Sequence, residues 1–179
     1  SVVHSESELH KQVAFVLNEY KQPALLEEFL TGREFTVAIL GNVPNEKVLP
    51  IIELRFDSLP KDVNPLYSYE AKWVWDTVEN PIDVHECPAQ IDTQLRQNIE
   101  TICRKSFEIL SCRDWCRIDI RLDSNGVPNV IELNPLPGIL PDPEEHSCFP
   151  LAARTAGMSY NEMINSVLNE AIKRYGIVI

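Results

Sequence analysis

Asp119, Glu132 and Asn134, with Arg117 close by, are oxygen-bearing and cationic side chains whose spacing places them on one surface. WCRIDIRL and NVIELN alternate apolar and polar residues on either side of DSNG. Asn-Gly is the strongest short hairpin signal, because both central residues of a two-residue type I′ turn need positive φ. Counting outward from Asn125-Gly126 predicts Leu122 opposite Asn129, Arg121 opposite Val130, Ile120 opposite Ile131, Asp119 opposite Glu132 and Arg117 opposite Asn134. Arg117, Asp119, Glu132 and Asn134 then share one face, and Ile118, Ile120, Ile131 and Leu133 fill the other.

Directly opposed carboxylates have Cβ atoms roughly 4.5–5.5 Å apart and destabilise a sheet. A hard divalent cation compensates them. Two carboxylates and a carboxamide offer oxygen ligands, and Mg²⁺ completes its octahedron with water and nucleotide phosphates. Arg117 is suited to pair with charge that develops on a transferring phosphoryl group or a tetrahedral oxyanion. A sheet face that merely meets solvent shows the same alternation, and by alternation alone the two readings stand level. Only the solvated face leaves acid opposite acid unexplained.

The elements that position these residues follow from periodicity. Leu9, Val13, Val16, Leu17 and Tyr20 fall at helical spacing behind Ser5, with Glu8 completing a capping box. Pro23 ends that pattern, and ALLEEF and REFTVAIL predict two strands joined at Thr31-Gly32. Short strands are expected within Lys47 to Leu54 and Tyr69 to Val74. Pro88 to Leu110 predicts a helix whose inner face carries Ile91, Leu95, Ile99, Ile102, Cys103, Phe107 and Leu110. After a Pro-rich loop from Pro135 to Pro150 come two helices. The first runs from Leu151 to Ala156, and the second from Ser159 to about Tyr175 with Met163, Val167, Leu168 and Ala171 inward.

Composition narrows the function classes. The 179 residues carry a net charge of −11, which disfavours a nucleic-acid backbone or an anionic membrane as partner. There is no apolar run of the roughly 18 residues that span a bilayer, and SVVHSESELH lacks the features of a secretory signal, so a cytoplasmic protein is expected. Cys87, Cys103, Cys112, Cys116 and Cys148 include no CxxC pair, and reduced structural thiols are expected.

The segment WCRIDIRLDSNGVPNVIELNPLPG resembles the R-[IV]-D, E-x-N and PG signature of the D-alanine–D-alanine ligases within the ATP-grasp superfamily. The resemblance covers nearly the whole chain. It implies an α+β fold, an ATP-grasp carboxyl-terminal domain with an antiparallel sheet flanked by helices. Residues 1–30 would be the remainder of the small ATP-grasp subdomain and 31–179 the large one. It also implies ATP and Mg²⁺ (or Mn²⁺), with Asp119, Glu132 and Asn134 as metal ligands. Arg117 would stabilise the acyl phosphate and tetrahedral intermediate, and the Gly138 amide would help form the oxyanion site. LLEEFLTGREFTVAIL is similar to the family's adenine and ribose segment, which implies Glu27 at the adenine amino group, a backbone contact from Leu30, and Glu34 at the ribose. Either glutamate taken singly reads more readily as an exposed strand charge, and the whole pattern reverses that.

YSYEAKW is similar to a family loop whose lysine touches the ATP phosphates, which gives Lys72 that role. Trp73 replaces a common Tyr after it. HSCFPLAARTAGMSY is similar to the stretch whose serine binds the carboxylate of the second amino acid, here Ser147. That serine would also serve as a simple helix cap. Ile139 to Glu145 is longer and more acidic than the family's link, and NPLPG replaces NTSPG. The implied reaction joins two amino acids of the D-alanyl-D-alanine type through an acyl phosphate, as in peptidoglycan biosynthesis. Other acceptors, or a nucleotide-binding fragment inactive in isolation, are the alternatives. The family's flexible phosphate-covering loop and amino-terminal domain would precede this sequence, and a homodimer would form partly through that portion.

Overall fold

The computed structural model describes residues 1–56, 85–145 and 147–178. Helix α1 (Glu6–Glu19) precedes strands β1 (Glu34–Leu40), β2 (Lys47–Val48), β3 (Ile52–Leu54) and β4 (His85–Glu86). Helix α2 (Thr93–Ile109), strands β5 (Trp115–Leu122) and β6 (Pro128–Asn134), and helices α3 (Cys148–Thr155) and α4 (Tyr160–Tyr175) follow. Among the described residues the six strands form one antiparallel sheet in the order β4-β3-β1-β5-β6, with β2 also on β1. The α+β class expected from the sequence is the class observed. The strand expected over Tyr69 to Val74 lies outside the described residues.

Both faces of the sheet are covered, and the alternation of β1 and β5 decides what each face buries. Phe35, Val37 and Ile39 of β1 join Cys116, Ile118, Ile120 and Leu122 of β5 beneath Ile99, Cys103 and Phe107 of α2. On the opposite face Ala38, Leu40 and Ile52 pack under Phe149, Ala152 and Ala153 of α3 and Met163 of α4. Trp115 meets Phe149 edge to face at 5.5 Å. The helical cover lies at the Leu40 and Trp115 end. Farther along, the same face presents Thr36 and Glu34 from β1, and Arg117, Asp119 and Arg121 from β5.

The helices end where local chemistry dictates. Asp92 Oδ1 accepts from Leu95 N at 2.8 Å, which starts α2 five residues after Pro88. Ser159 and Glu162 form a reciprocal capping box, and Gly176 closes α4 at a left-handed φ of 64°. At α1 the Ser5 hydroxyl caps Glu8, but the Glu8 carboxylate accepts from His4 N rather than from Ser5 N. Helix α3 begins at Cys148, earlier than the expected Leu151, because Pro150 sits in its first turn, where no N–H is needed. Leu168 is exposed, not inward, and so is Leu110 at the end of α2.

Two expectations about the strands fail. ALLEEF forms no strand, since no described edge pairs with it, and Leu25 and Leu26 are exposed. Thr31-Gly32 is therefore no hairpin turn. Gly32 is required for another reason: its N–H donates to Leu122 O at 3.0 Å, and a Cβ there would lie 2.6 Å from that oxygen.

The turn between β5 and β6 also differs. Gly126 takes a positive φ of 78° but Asn125 does not. Gly126 N donates to Asp123 O at 3.1 Å and Asp123 N to Val127 O at 2.9 Å, so the loop holds three residues rather than two. The Asp123 carboxylate accepts from Asn125 N and Val127 N, which stabilises the longer loop. Leu122 thus pairs with Pro128, Arg121 with Asn129 and Ile120 with Val130. A one-residue shift between Asp119 and Ile120 leaves Ile131 as the extra residue, and the outer pairs return to the expected register. Val130 takes the inward place expected for Ile131, which is exposed.

Replacing Gly32 by Ala drives a methyl into the backbone of β5, and a loss of about 1–3 kcal/mol is expected in urea unfolding. A second expectation concerns Asp114, whose carboxylate receives Arg174 Nη2 at 2.6 Å and Asn42 Nδ2 at 2.9 Å, tying α4 to two loops. Its carboxyl lies below the usual aspartate range, chiefly because Arg174 donates to its charged form, with Asn42 adding to this. The folded chain then binds fewer protons here than the unfolded chain. The contribution is present above about pH 4, the range of a free aspartate, and is lost as pH falls through the folded value. Asp114→Asn, which tolerates the left-handed backbone, should lower the thermal midpoint at pH 7 by about 2–4 °C. That difference should vanish in acid.

Candidate active site

Strands β5 and β6 bring Arg117, Asp119, Glu132 and Asn134 together where the helical cover ends. Asp119 lies opposite Glu132 and Arg117 opposite Asn134, as expected from the sequence. Arg117 Nε and Nη2 donate to Asp119 Oδ1 and Oδ2 at 3.1 and 2.8 Å, and Nη2 also reaches Glu132 Oε1 at 3.2 Å. Asn134 Nδ2 donates to the same Glu132 oxygen at 2.8 Å. Arg117 itself therefore relieves much of the repulsion between the acids. The compensation expected from a divalent cation is thus shared by Arg117.

The compensation is incomplete, because one guanidinium faces two carboxylates. Burial pushes the Asp119 carboxyl above its ordinary value against the pull of Arg117, and the neighbouring Glu132 adds to the rise. Glu132 is held low, first by the Asn134 amide and further by Asp119 and Arg117. Burial lowers the Arg117 value, but the Asp119 carboxylate more than offsets this and holds it above the ordinary value. A cluster of two facing acids and one base has chemistry that suits a divalent cation.

The donor set fits Mg²⁺ of a particular kind. Among the described residues no three His, Cys, Asp or Glu side chains gather as a metal-holding group. Asp119, Glu132 and the Asn134 carboxamide supply too few oxygens for a closed cage, so phosphate and water oxygens would complete the shell.

Glu34 is fixed on the same face, where Arg121 Nη1 donates to its Oε2 at 2.7 Å. The side chains of this pair are only 7% and 17% exposed, and the Arg121 guanidinium lies 5.3 Å from the Phe29 ring and 5.8 Å from the Phe56 ring. Burial raises the Glu34 carboxyl against the pull of Arg121. Glu27 is exposed and Leu30 half-buried in the irregular segment before β1. Lys72 and Trp73 lie outside the described residues.

Gly138 and Ser147 are neighbours, since a Cβ at Gly138 would stand 3.5 Å from Ser147 Oγ. Ser147 occupies the cap position of α3, but its hydroxyl makes no capping bond there and accepts from Leu140 N at 3.2 Å. The capping reading of Ser147 is thereby overturned. Tyr160 OH donates to Ile139 O at 2.8 Å, so the N-terminal ends of α3 and α4 hold the loop that follows β6. Cys148, next to Ser147, interacts electrostatically with Arg117.

Three residues escaped the sequence reading: Thr36, which donates to Asp119 Oδ1 at 3.0 Å, Arg121 and Cys148. A faint signal existed for Thr36, because Glu34 and Thr36 are polar at period two in an otherwise apolar strand. A separate groove of ≈ 750 Å³ opens at the far end of the sheet between Asn42, Glu108, Arg113 and Lys173. Its Lys173 and Arg174 pair with Glu170 and Asp114, and it does not reach the acid cluster. All five cysteines are free, and burial pushes the Cys103 and Cys116 thiols up to about 12.

Comparison with known proteins gives this arrangement its context. The uncharacterized protein y4sG of Sinorhizobium fredii (strain NBRC 101917 / NGR234) is 40% identical over 174 residues, which is 97% of this chain and 48% of that protein. The D-alanine–D-alanine ligase of Bordetella avium (strain 197N) is 34% identical over 161 residues, 90% of this chain and 46% of the ligase. The crystal structure of D-alanine–D-alanine ligase from Bacillus anthracis complexed with ATP superposes with a TM-score of 0.70 at 20% identity, covering 96% of this chain and 48% of that one. The chain spans about half the length of the relatives it matches. The model of the family described as D-ala D-ala ligase C-terminus matches residues 1–169, and the chain belongs to that family.

Proposed function

We propose that the protein carrying this chain is an ATP-dependent carboxylate–amine ligase that joins two amino acids of the D-alanyl-D-alanine type through an acyl phosphate. The observation that supports it most is the pairing of Asp119 with Glu132 beneath Arg117, with Asn134 beside them, on the uncovered part of the sheet face. In this reading Asp119, Glu132 and Asn134 hold Mg²⁺ on the nucleotide phosphates. The ion supplies charge neutralisation on the transferring phosphoryl group when bound.

The chain's own residues orient and stabilise the rest. Arg117 offers two N–H arms to negative charge on the acyl phosphate and the tetrahedral intermediate. The Gly138 amide donates to the developing oxyanion, and Ser147 binds the second amino acid's carboxylate from its place beside Gly138. Glu27, Leu30 and Glu34 receive the adenine and ribose, and Lys72 touches the phosphates. Residues 1–30 belong to a smaller subdomain and 31–179 to the larger one. No helix of the described residues is long and apolar enough to cross a membrane. We place the protein in the cytoplasm with ATP and amino acids as its partners.

A second reading changes the acceptor. Leu140 N already engages the Ser147 hydroxyl, and the loop that carries Leu140 also carries the exposed acids Asp142, Glu144 and Glu145. Screening phosphate release by the full-length protein across amino-acid and hydroxy-acid acceptors separates the two readings.

Calorimetric titration of the full-length protein with Mg²⁺-ATP tests the site itself. Asp119→Ala and Glu132→Ala should each weaken binding by more than about tenfold, since even outer partners of metal ligands contribute that much. Arg117→Ala should not weaken Mg²⁺-ATP binding while lowering kcat by about 10²–10³. Undiminished Mg²⁺-ATP binding in both acid variants contradicts the reading.

A further inference from the structure

Asp119 is the more deeply buried acid of the cluster, and three N–H or O–H donors converge on its carboxylate. Two come from Arg117, at 3.1 and 2.8 Å. The third is the Thr36 hydroxyl, at 3.0 Å from Oδ1. Thr36 is 3% exposed. It lies directly opposite Asp119 across the β1–β5 pairing and opposite Ile52 across the β1–β3 pairing, so strands on both sides fix its backbone.

The three donors differ in what they can do when the cluster takes up a cation. Arg117 is charged and long, and its two arms lie on the oxygens a cation would need. Like charges repel, so a divalent ion on Asp119 loosens the guanidinium from the same oxygens. Thr36 is neutral, short and branched at Cβ, with a stiff χ1 on a strand paired along both edges. Its hydroxyl directs one lone pair of Oδ1 and leaves the remaining lone pairs for a ligand.

Resting on the proposed cation site, we infer that Thr36 is a positioning residue for Asp119. It holds the carboxylate in its ligating orientation while Arg117 is released toward the reacting phosphoryl group. Groups that orient metal ligands typically contribute 10–100-fold in metal affinity, and Thr36 has the geometry for that role without touching nucleotide or substrate. A hydroxyl that only satisfies a buried acceptor would leave cation affinity untouched.

The test is Mn²⁺ binding to the full-length protein, read by electron paramagnetic resonance at saturating β,γ-imido-ATP, with thermal unfolding in parallel. Thr36→Val, of nearly the same shape, should raise the Mn²⁺ dissociation constant by about 10–100-fold. Thr36→Ser, which keeps the hydroxyl, should stay within a few-fold of the parent. If Thr36→Val fails to fold, Thr36→Ala against Thr36→Ser makes the same comparison. Parent-like Mn²⁺ affinity without the hydroxyl, alongside weakened affinity in Glu132→Ala, overturns the role of Thr36 alone. Parent-like affinity in Glu132→Ala as well overturns the cation site beneath it.

Discussion

Two carboxylates held face to face across β5 and β6 set the constraint around which this end of the sheet is arranged. Asp119 and Glu132 lie opposite each other, and a single guanidinium spans both. Breaking such a cluster by removing its base would strand two acids, one of them deeply buried, at a cost of several kcal/mol. Apolar residues at these positions would suit the sheet better. The arrangement makes sense for a surface that exchanges its internal guanidinium contacts for an external cation.

The remaining architecture supports that exchange. Helix α2 covers one sheet face completely enough that Ile118 and Ile120 are fully buried, so the strands carrying the acids cannot tilt. Helices α3 and α4 cover only one end of the other face, and the polar residues of β1 and β5 gather beyond them. The bulge at Ile131 matters here as well. It absorbs the extra residue of the Asp123–Val127 loop, so Glu132 returns to the face of Asp119. Side chains on a strand alternate, and a slip of one residue without a bulge would turn Glu132 toward α2.

Much of this was legible from local pattern. Strands β5 and β6, helices α2 and α4 and the outer pairs Asp119–Glu132 and Arg117–Asn134 all follow from periodicity and turn chemistry. The register was reached through two offsetting departures: the loop is one residue longer than Asn-Gly implies, and the bulge restores the count. Neither is visible locally, since Asp123 decides between the loops by accepting two backbone N–H groups. Long-range pairing was less accessible. Thr36 and Arg121 acquire meaning only once β1 lies beside β5. ALLEEF reads as a strand by composition yet finds no described edge to pair with. The Ser147 hydroxyl serves the loop rather than its helix because Leu140 N comes within 3.2 Å of it.

A crystal structure of the full-length protein grown with Mn²⁺ and β,γ-imido-ATP tests the central claim most directly, through the anomalous signal of the metal. The account predicts a manganese peak bridging Asp119 and Glu132, within about 2.0–2.3 Å of their carboxylate oxygens, with Arg117 withdrawn from at least one of them. A nucleotide bound with its metal elsewhere, and Arg117 still two-armed on Asp119, would contradict it.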